Sequence, residues 1–300
     1  MDRFRRHHGP VNELAFYELI DVGRGRSLEA FGSVLVDRPA PGAVGPPRDP
    51  ARWSSALIYR AGRGWATSEG ERPPENEVDV QLAGVTMRAH LGGGGQVGVF
   101  PEHAVNAEWL RSSIASRGTD SAPVGVLNLF AHTGLLTLVA AGAGASVVHV
   151  DSSRPAVATS RHNASLSGLD DRPVRWIVDD AARFVHREHR RGRSYAGFIL
   201  DPPTYGHGGR DRGAEGWQFE TGIESLIEAC QAIADPEAFW ILSTHTPGWD
   251  GPRLAGLLGG GAGSDGHGIH SRPLELRAGS GAVLRLGAAA LFDPFRPNSR

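Results

Sequence analysis

Lysine is absent from this 300-residue chain, so all 31 cationic side chains are arginine, set against 33 acidic ones. The net charge of -2 removes any global electrostatic pull toward nucleic acid, leaving a local basic patch as the route to such a partner. An arginine-only composition fits a GC-rich coding bias and equally suits contacts with phosphate or nucleobase faces. Cysteine is nearly absent as well. Cys230 stands alone, which excludes an intramolecular disulfide, and no Cys/His cluster has zinc-ligand spacing. Long apolar runs are missing, and nothing approaches the roughly 20 residues that span a bilayer, so no membrane partner is expected. Residues 1–10 are basic and polar and lack the apolar stretch of a secretory signal, so the expected compartment is the cytoplasm. What remains, 40% hydrophobic and 21% charged, is the composition of a globular protein with one large or two modest domains.

Organisation changes near residue 104. Before it, short strand-like stretches at 16–21, 33–37, 56–60 and 78–82 are separated by Gly- and Pro-rich turns. Residues 85–90 and 96–100 flank a run of glycines and predict a hairpin. This region, 1–104, is expected to be a small β-rich domain, and a helix over 102–116 connects it to the rest. From residue 124 strands and helices alternate. Strands are expected at 124–130, 146–150, 174–178, 196–200 and 238–244, with two more at 269–277 and 282–292. Helices are expected at 135–141, 155–167, 181–190, 223–234 and 253–258, with Ser152 or Ser153 capping the second. Such alternation predicts an α/β domain over 105–300, built on a parallel doubly wound sheet. No internal repeat is visible, and the glycine-rich stretch 259–268 carries no obvious chemistry.

In an open parallel sheet, ligands sit beyond the carboxyl ends of the strands, near the point where strand order reverses. Four strand ends here carry unusual loops: Asn128-Leu-Phe-Ala-His-Thr-Gly134, Asp151 with Ser152, Asp179-Asp180, and Asp201-Pro-Pro-Thr-Tyr205. Gly134 lets backbone approach a ligand at a helix N-terminus. Asp151 stands where a carboxylate can accept hydrogen bonds from a ribose diol, or it caps the next helix. Asp179 and Asp180 carry the same two readings. His132 reads as a loop histidine or as part of the site. A nicotinamide dehydrogenase would need G-x-G-x-x-G after the first strand, and Phe130-Ala-His-Thr-Gly134 lacks the close glycine pair.

The ordered set Leu127-Asn-Leu-Phe-Ala-His-Thr-Gly134, His149-Val-Asp-Ser-Ser153, Arg161-His-Asn163, Val178-Asp-Asp180 and Asp201-Pro-Pro203 resembles the bacterial 23S ribosomal RNA methyltransferases of the large subunit, cytosine-C5 and guanine-N7 types. Gly98-Val-Phe-Pro-Glu-His103 is similar to the segment that leads into the catalytic domain of their shorter relatives. The resemblance covers about residues 85–250. It implies a Rossmann-like class I fold with an antiparallel last strand, S-adenosylmethionine (SAM) as cofactor, and RNA as substrate. It further implies that Phe130, Ala131 and Gly134, with Asn128, His132 and Thr133 in the same loop, line the methionine part of SAM. Asp151 beside Ser152 would hold the ribose, Asp180 beside Asp179 the adenine amino group, and Asp201, Pro202 and Pro203 would border the methyl acceptor. Two departures stand out. His132 replaces a tyrosine usual in the family, and the N-terminal region does not resemble the RNA-binding domain of the longer members.

At the acceptor, a strand-end carboxylate and proline carbonyls suit a planar nitrogen, and Tyr205 either stacks on its ring or merely packs. Cytosine-C5 chemistry would normally need a cysteine nucleophile. Cys230 falls among Leu226, Ile227 and Ile233 on a helix and reads as a buried structural residue. Arg183, Arg187, Arg190, Arg191 and Arg193, with His186 and His189, are the densest basic run, read as an RNA contact or a solvated face. Three functions remain open at this level: an RNA base methyltransferase, a small-molecule methyltransferase, and a catalytically silent SAM- and RNA-binding module. Oligomeric state is not legible.

Overall fold

The computed structural model describes residues 15–71, 76–92, 94–118, 122–206, 216–259 and 268–295. The middle of the glycine-rich stretch expected to be a loop, 260–267, lies outside them.

The chain first builds a five-stranded sheet. β1 (Tyr17–Gly23), β2 (Arg26–Phe31) and β3 (Val34–Pro39) form an antiparallel meander, β4 (Leu57–Arg60) adds in parallel, and β5 (Gly64–Ala66) closes the edge. The β1–β2 turn is Arg24-Gly25, both with positive φ (54° and 74°), the geometry that matches the twist of paired strands. β2 went unread in the sequence because its polar residues are buried rather than alternating. Glu29 accepts two hydrogen bonds from Arg38 (2.8 and 2.9 Å), one from Ser27 and one from Tyr17.

β6 (Glu77–Leu82) and β7 (Val85–His90) then pair antiparallel across Ala83-Gly84, where φ is 52° and 81°. The expected hairpin between 85–90 and 96–100 is therefore corrected. Residues 96–100 form no strand and are tied to β7 by the bond from the His90 amide to the Val97 carbonyl (2.8 Å). The two-residue turn at Ala83-Gly84 closes the hairpin without needing the glycine run. The expected connector helix begins as a 3-10 turn, Pro101–Asn106, and continues as α1 (Ala107–Ala115).

The α/β part runs β8 (Gly125–Leu129), α2 (Leu135–Gly142), β9 (Ser146–Asp151), α3 (Arg154–Leu166), β10 (Val174–Val178), α4 (Ala181–Arg190), β11 (Tyr195–Leu200), α5 (Phe219–Gln231), β12 (Ala234–Thr244), α6 (Gly251–Gly259), β13 (Ile269–Arg277) and β14 (Val283–Phe292). Strand order is β10-β9-β8-β11-β12-β14-β13. β8 to β12 are mutually parallel, and β14 runs antiparallel to both its neighbours, as the resemblance implied. From β8 the chain goes one way to β9 and β10, then returns to β11 on the other side. The reversal leaves a crevice at the carboxyl ends of β8 and β11.

These central strands read as apolar runs because helices cover both faces. Val126, Leu127, Leu129, Val147, Val150 and Phe198 to Leu200 are all buried. One hydrophobic cluster continues from Phe31, Val36 and Trp65 through Met87 to Leu110, Leu138 and Ile199, so the first sheet and the α/β sheet share a core. The hairpin is bolted to α3 by side chains. Asn163 Oδ1 accepts from the Arg88 amide (3.0 Å), and Ser167 Oγ accepts from the Thr86 amide (2.9 Å).

After α1 the chain is fixed to the end of β14 by an ion pair. Arg117 donates to both carboxylate oxygens of Asp293 (2.8 and 3.2 Å) and to the Glu237 carbonyl, and the two side chains are only 7% and 0% exposed. Removing the arginine strands a buried carboxylate, so Arg117→Ala should lower stability by about 3 kcal/mol. Urea unfolding measures this, and a loss below about 1 kcal/mol would show that the pair contributes little.

Candidate active site

Register places the four loop-bearing strand ends side by side. Ile177 pairs with Val150, Val150 with Leu129, and Leu129 with Leu200, so Val178, Asp151, Phe130 and Asp201 follow at one level of the sheet, with Asp179 one residue beyond.

The loop after β8 is wound tightly. Phe130, His132 and Gly134 all adopt positive φ (55°, 45° and 91°), costly for the two that are not glycine. Surrounding bonds hold it there. The His132 amide donates to Asp151 Oδ2 (2.8 Å), Asn163 Nδ2 donates to the Thr133 carbonyl (2.9 Å), and Thr133 Oγ1 donates to the Gly98 carbonyl (2.5 Å). Gly134 is required twice over: its φ is left-handed, and a Cβ there would lie 2.9 Å from the Ser160 Cβ. It stands as N-cap of α2.

Beneath the loop runs a buried polar chain. Asn128 Nδ2 donates to Thr137 Oγ1 (2.8 Å), which meets His149 Nδ1 (2.9 Å), while Ser160 Oγ lies 3.3 Å from His149 Nε2. The Asn128 side chain is thus committed to the interior, behind the loop, and Thr133 is likewise buried. Burial, with His132 and Arg161 nearby, pushes the His149 imidazole down to about 3. His132 packs edge-on against Phe100 (5.0 Å), and burial lowers it too, against the pull of Asp151 and Asp201.

Asp151 Oδ1 accepts from the Ser153 amide (2.8 Å), and Ser153, not the exposed Ser152, caps α3. Both Asp151 oxygens are oriented by backbone donors and keep further acceptor capacity. Asp180 Oδ1 caps α4 by accepting from the Arg183 amide (2.9 Å), and Asp179 is paired with Arg187 (2.6 Å). Asp180 thus does cap, with its second oxygen left over, and Asp179 is an ion-pair partner.

Asp201 ends β11 and keeps 28% of its side chain exposed. Its Oδ1 accepts from Ser243 Oγ (2.7 Å), and its Oδ2 stands 3.1 Å from His103 Nε2. Desolvation would raise this carboxyl, but His103, His245 and the Ser243 hydroxyl hold it well below the usual carboxylate range. Burial would lower His103, and the Asp201 carboxylate, with Glu102, pushes it instead up to about 9. Pro202 is buried and Pro203 exposed. The Pro203 carbonyl accepts from Trp217 Nε1 (2.7 Å), a side-chain donor. Trp217 also packs on Phe130 (5.1 Å). Tyr205 is 73% exposed and bridges Gln218 at the rim.

Sequence reasoning missed Glu102, His103, His245 and Trp217. The stretch Gly98 to His103 was a signal, but its convergence on Asp201 needs the fold. Cys230 is fully buried and burial pushes its thiol up, which fits a structural residue. In the basic run, Arg187 is tied to Asp179 and Arg191 to Glu188. Arg191 and Arg193 border a pocket with Arg175 at the starts of β8, β9 and β11, the far edge of the sheet from Asp201.

The family model for S-adenosylmethionine-dependent methyltransferases matches residues 58–211, just over half of the chain. The chain belongs to the SAM-dependent methyltransferase family. The solved SAM-dependent methyltransferase from Agrobacterium tumefaciens is similar over nearly the whole molecule: TM-score 0.83 and 32% identity, covering 94% of this chain and 93% of that one. Two curated relatives, both named ribosomal RNA large subunit methyltransferase I, come from Alteromonas mediterranea and Tolumonas auensis. The first is 27% identical over 44% of this chain and 32% of its own length, the second 28% identical over 55% and 37%. The chain thus spans about a third of the length of these two relatives. No helix among the described residues is long and apolar enough to cross a membrane.

The buried polar chain generates a pH prediction. His149 in an unfolded chain titrates near its ordinary 6.5, and in the folded protein near 3. Between these values the unfolded state binds a proton that the folded state refuses, so stability falls as pH drops through that window. The slope attributable to this group is about 1.4 kcal/mol per pH unit. Urea unfolding between pH 6 and pH 4 should therefore show a shallower pH dependence for His149→Gln than for wild type. Equal slopes would mean that His149 titrates normally.

Proposed function

We propose that this protein transfers a methyl group from SAM to a nitrogen of an RNA base, with ribosomal RNA as the substrate class. The observation that carries this reading is the ionised Asp201 carboxylate, fixed at a strand end beside a strained loop and an open aromatic rim. The names of the curated relatives support the RNA half of the reading.

The donor set fits SAM. That molecule presents ribose hydroxyls, an adenine amino group and a cationic sulfonium, and the site offers Asp151, Asp180 and Asp201 as acceptors along one crevice. Bound there, SAM supplies an activated methyl group. Asp151 holds the ribose diol with oxygens already aligned by the His132 and Ser153 amides. Asp180 takes the adenine amino group with the oxygen that does not cap α4. Phe130, Ala131 and Gly134 shape the methionine end, while Asn128 and Thr133 hold the loop from behind. Asp201 accepts a hydrogen bond from the acceptor amino group and orients its lone pair along the transfer direction. It is too weak a base to carry the proton away by itself, because His103 and Ser243 stabilise its charged form. Phe130, Trp217 and Tyr205 offer the rings against which a planar base stacks.

Losing Asp151 removes a charge-assisted contact. Asp151→Ala should weaken SAM binding by on the order of 1.5–3 kcal/mol in calorimetry, and unchanged affinity in a folded variant would take Asp151 out of the site. Asp201→Ala should leave SAM affinity within a few-fold and cut methyl transfer roughly 100-fold or more, because alignment is lost. Near-normal turnover in the folded variant would end the acceptor assignment. The substrate class is tested by mass spectrometry of RNA and metabolites from a deletion strain. A methylated base missing from ribosomal RNA supports the reading. Unchanged RNA with a missing methylated metabolite overturns it.

A further inference from the structure

Behind Asp201 lies a cluster that includes its ion-pair partner His103. Glu102 and His103 come from the 3-10 turn Pro101–Asn106, and His245 follows β12. Each offers one ligating atom, and these atoms lie within 4.8 Å of one another, the sole such set among the described residues. Glu102 and His103 are buried, with side chains only 5% and 7% exposed.

Two observations make this more than proximity. First, nitrogen atoms are stranded. His103 Nδ1 and His245 Nε2 are buried without a hydrogen-bond partner. Buried polar nitrogens without partners are costly, and an unplaced ion is one of the few things that satisfies them. Second, the outer partners are those of metal-bound imidazoles, which almost always give their other ring nitrogen to a carbonyl or carboxylate. His245 Nδ1 donates to the Leu286 carbonyl (2.9 Å), which leaves Nε2, 3.6 Å from Glu102 Oε1, as the nitrogen that can ligate. His103 turns Nε2 to the Asp201 carboxylate at 3.1 Å, leaving Nδ1.

We propose that Glu102, His103 and His245 bind a first-row divalent transition-metal ion such as zinc, which clamps the 3-10 turn to the end of β12 behind Asp201. Two imidazoles and one carboxylate are a ligand set that zinc takes, with a fourth position for water. Ligand atoms around a tetrahedral zinc stand about 3.4 Å apart, given bonds of about 2.1 Å. The His245–Glu102 separation of 3.6 Å already matches, and the widest pair, at up to 4.8 Å, closes by up to about 1.4 Å through side-chain adjustment. Binding displaces any proton on the ligating nitrogens to solvent, and His103 keeps Nε2 toward Asp201. The bound charge then offsets Glu102 and Asp201 together. The role is to position, since the ligands hold the segment that holds Asp201.

The test uses the full chain, stripped with a chelator and dialysed, and reads metal rather than methyl transfer, so it stands or falls apart from the acceptor assignment. Zinc chloride titrated by calorimetry should bind at about one ion per chain and raise the melting temperature. Cobalt should give the intense visible bands of a low-coordinate site. His245→Ala and Glu102→Gln should each weaken binding at least tenfold. For variants that do not fold, X-ray absorption of zinc-loaded wild type counts the ligands directly, and two imidazoles are expected. Three outcomes overturn the proposal: stripped wild type that binds SAM but takes up neither metal at millimolar concentration, folded variants that bind as tightly as wild type, or a ligand shell with fewer than two imidazoles.

Discussion

A carboxylate at the buried end of a parallel strand has to be held, and the way Asp201 is held organises the molecule around it. Ser243 reaches it from the neighbouring strand β12, and His103 reaches it from the 3-10 turn that precedes α1. The second contact obliges the chain before the α/β sheet to pass over the carboxyl edge of that sheet before entering it. The β-rich part is thereby drawn onto α2 and α3, and the shared core from Phe31 to Ile199 follows from that placement. An ordinary linker at this point would leave the carboxylate to water and the first sheet free to move.

The loop after β8 shows the same economy of means. Left-handed backbone at Phe130 and His132 is unfavourable locally, and it persists because Asp151 and the Gly98 carbonyl each accept one bond from the loop and Asn163 donates one to it. Asp151 therefore shapes the loop as well as facing the crevice. Its two oxygens are aimed before any ligand arrives, which reduces the ordering that binding would otherwise require.

How much of this was legible in the sequence depends on where the polar residues went. The strands of the α/β sheet are apolar runs bounded by Asp, Gly and Pro, so β8 to β12 and their helices could be read within a few residues. β2 could not, since Arg26, Ser27 and Glu29 break the apolar pattern and only the fold reveals that Arg38 and Asp37 complete them. At the site, the strand-end residues Asp151, Asp180, Asp201 and Gly134 are local signals. Glu102, His103, His245 and Trp217 are not, because each gains its meaning from a partner far away in the chain. Asn128 shows the opposite error: it sits at the right place in the motif, yet its side chain turns inward to Thr137. Sequence position names a strand end but not the face on which a side chain emerges until the register is known.

Asn163 belongs to two neighbourhoods. One end of its amide accepts from Arg88 in the β6–β7 hairpin, and the other donates to Thr133 in the left-handed loop. Sharing one side chain makes the hairpin and the loop a single mutational unit. Substitutions in them will not combine additively, since a change that shifts Arg88 alters the position from which Thr133 is held. Replacing the hairpin with one from another relative would thus import a new loop geometry along with the new surface, even though no residue of the loop itself had been changed.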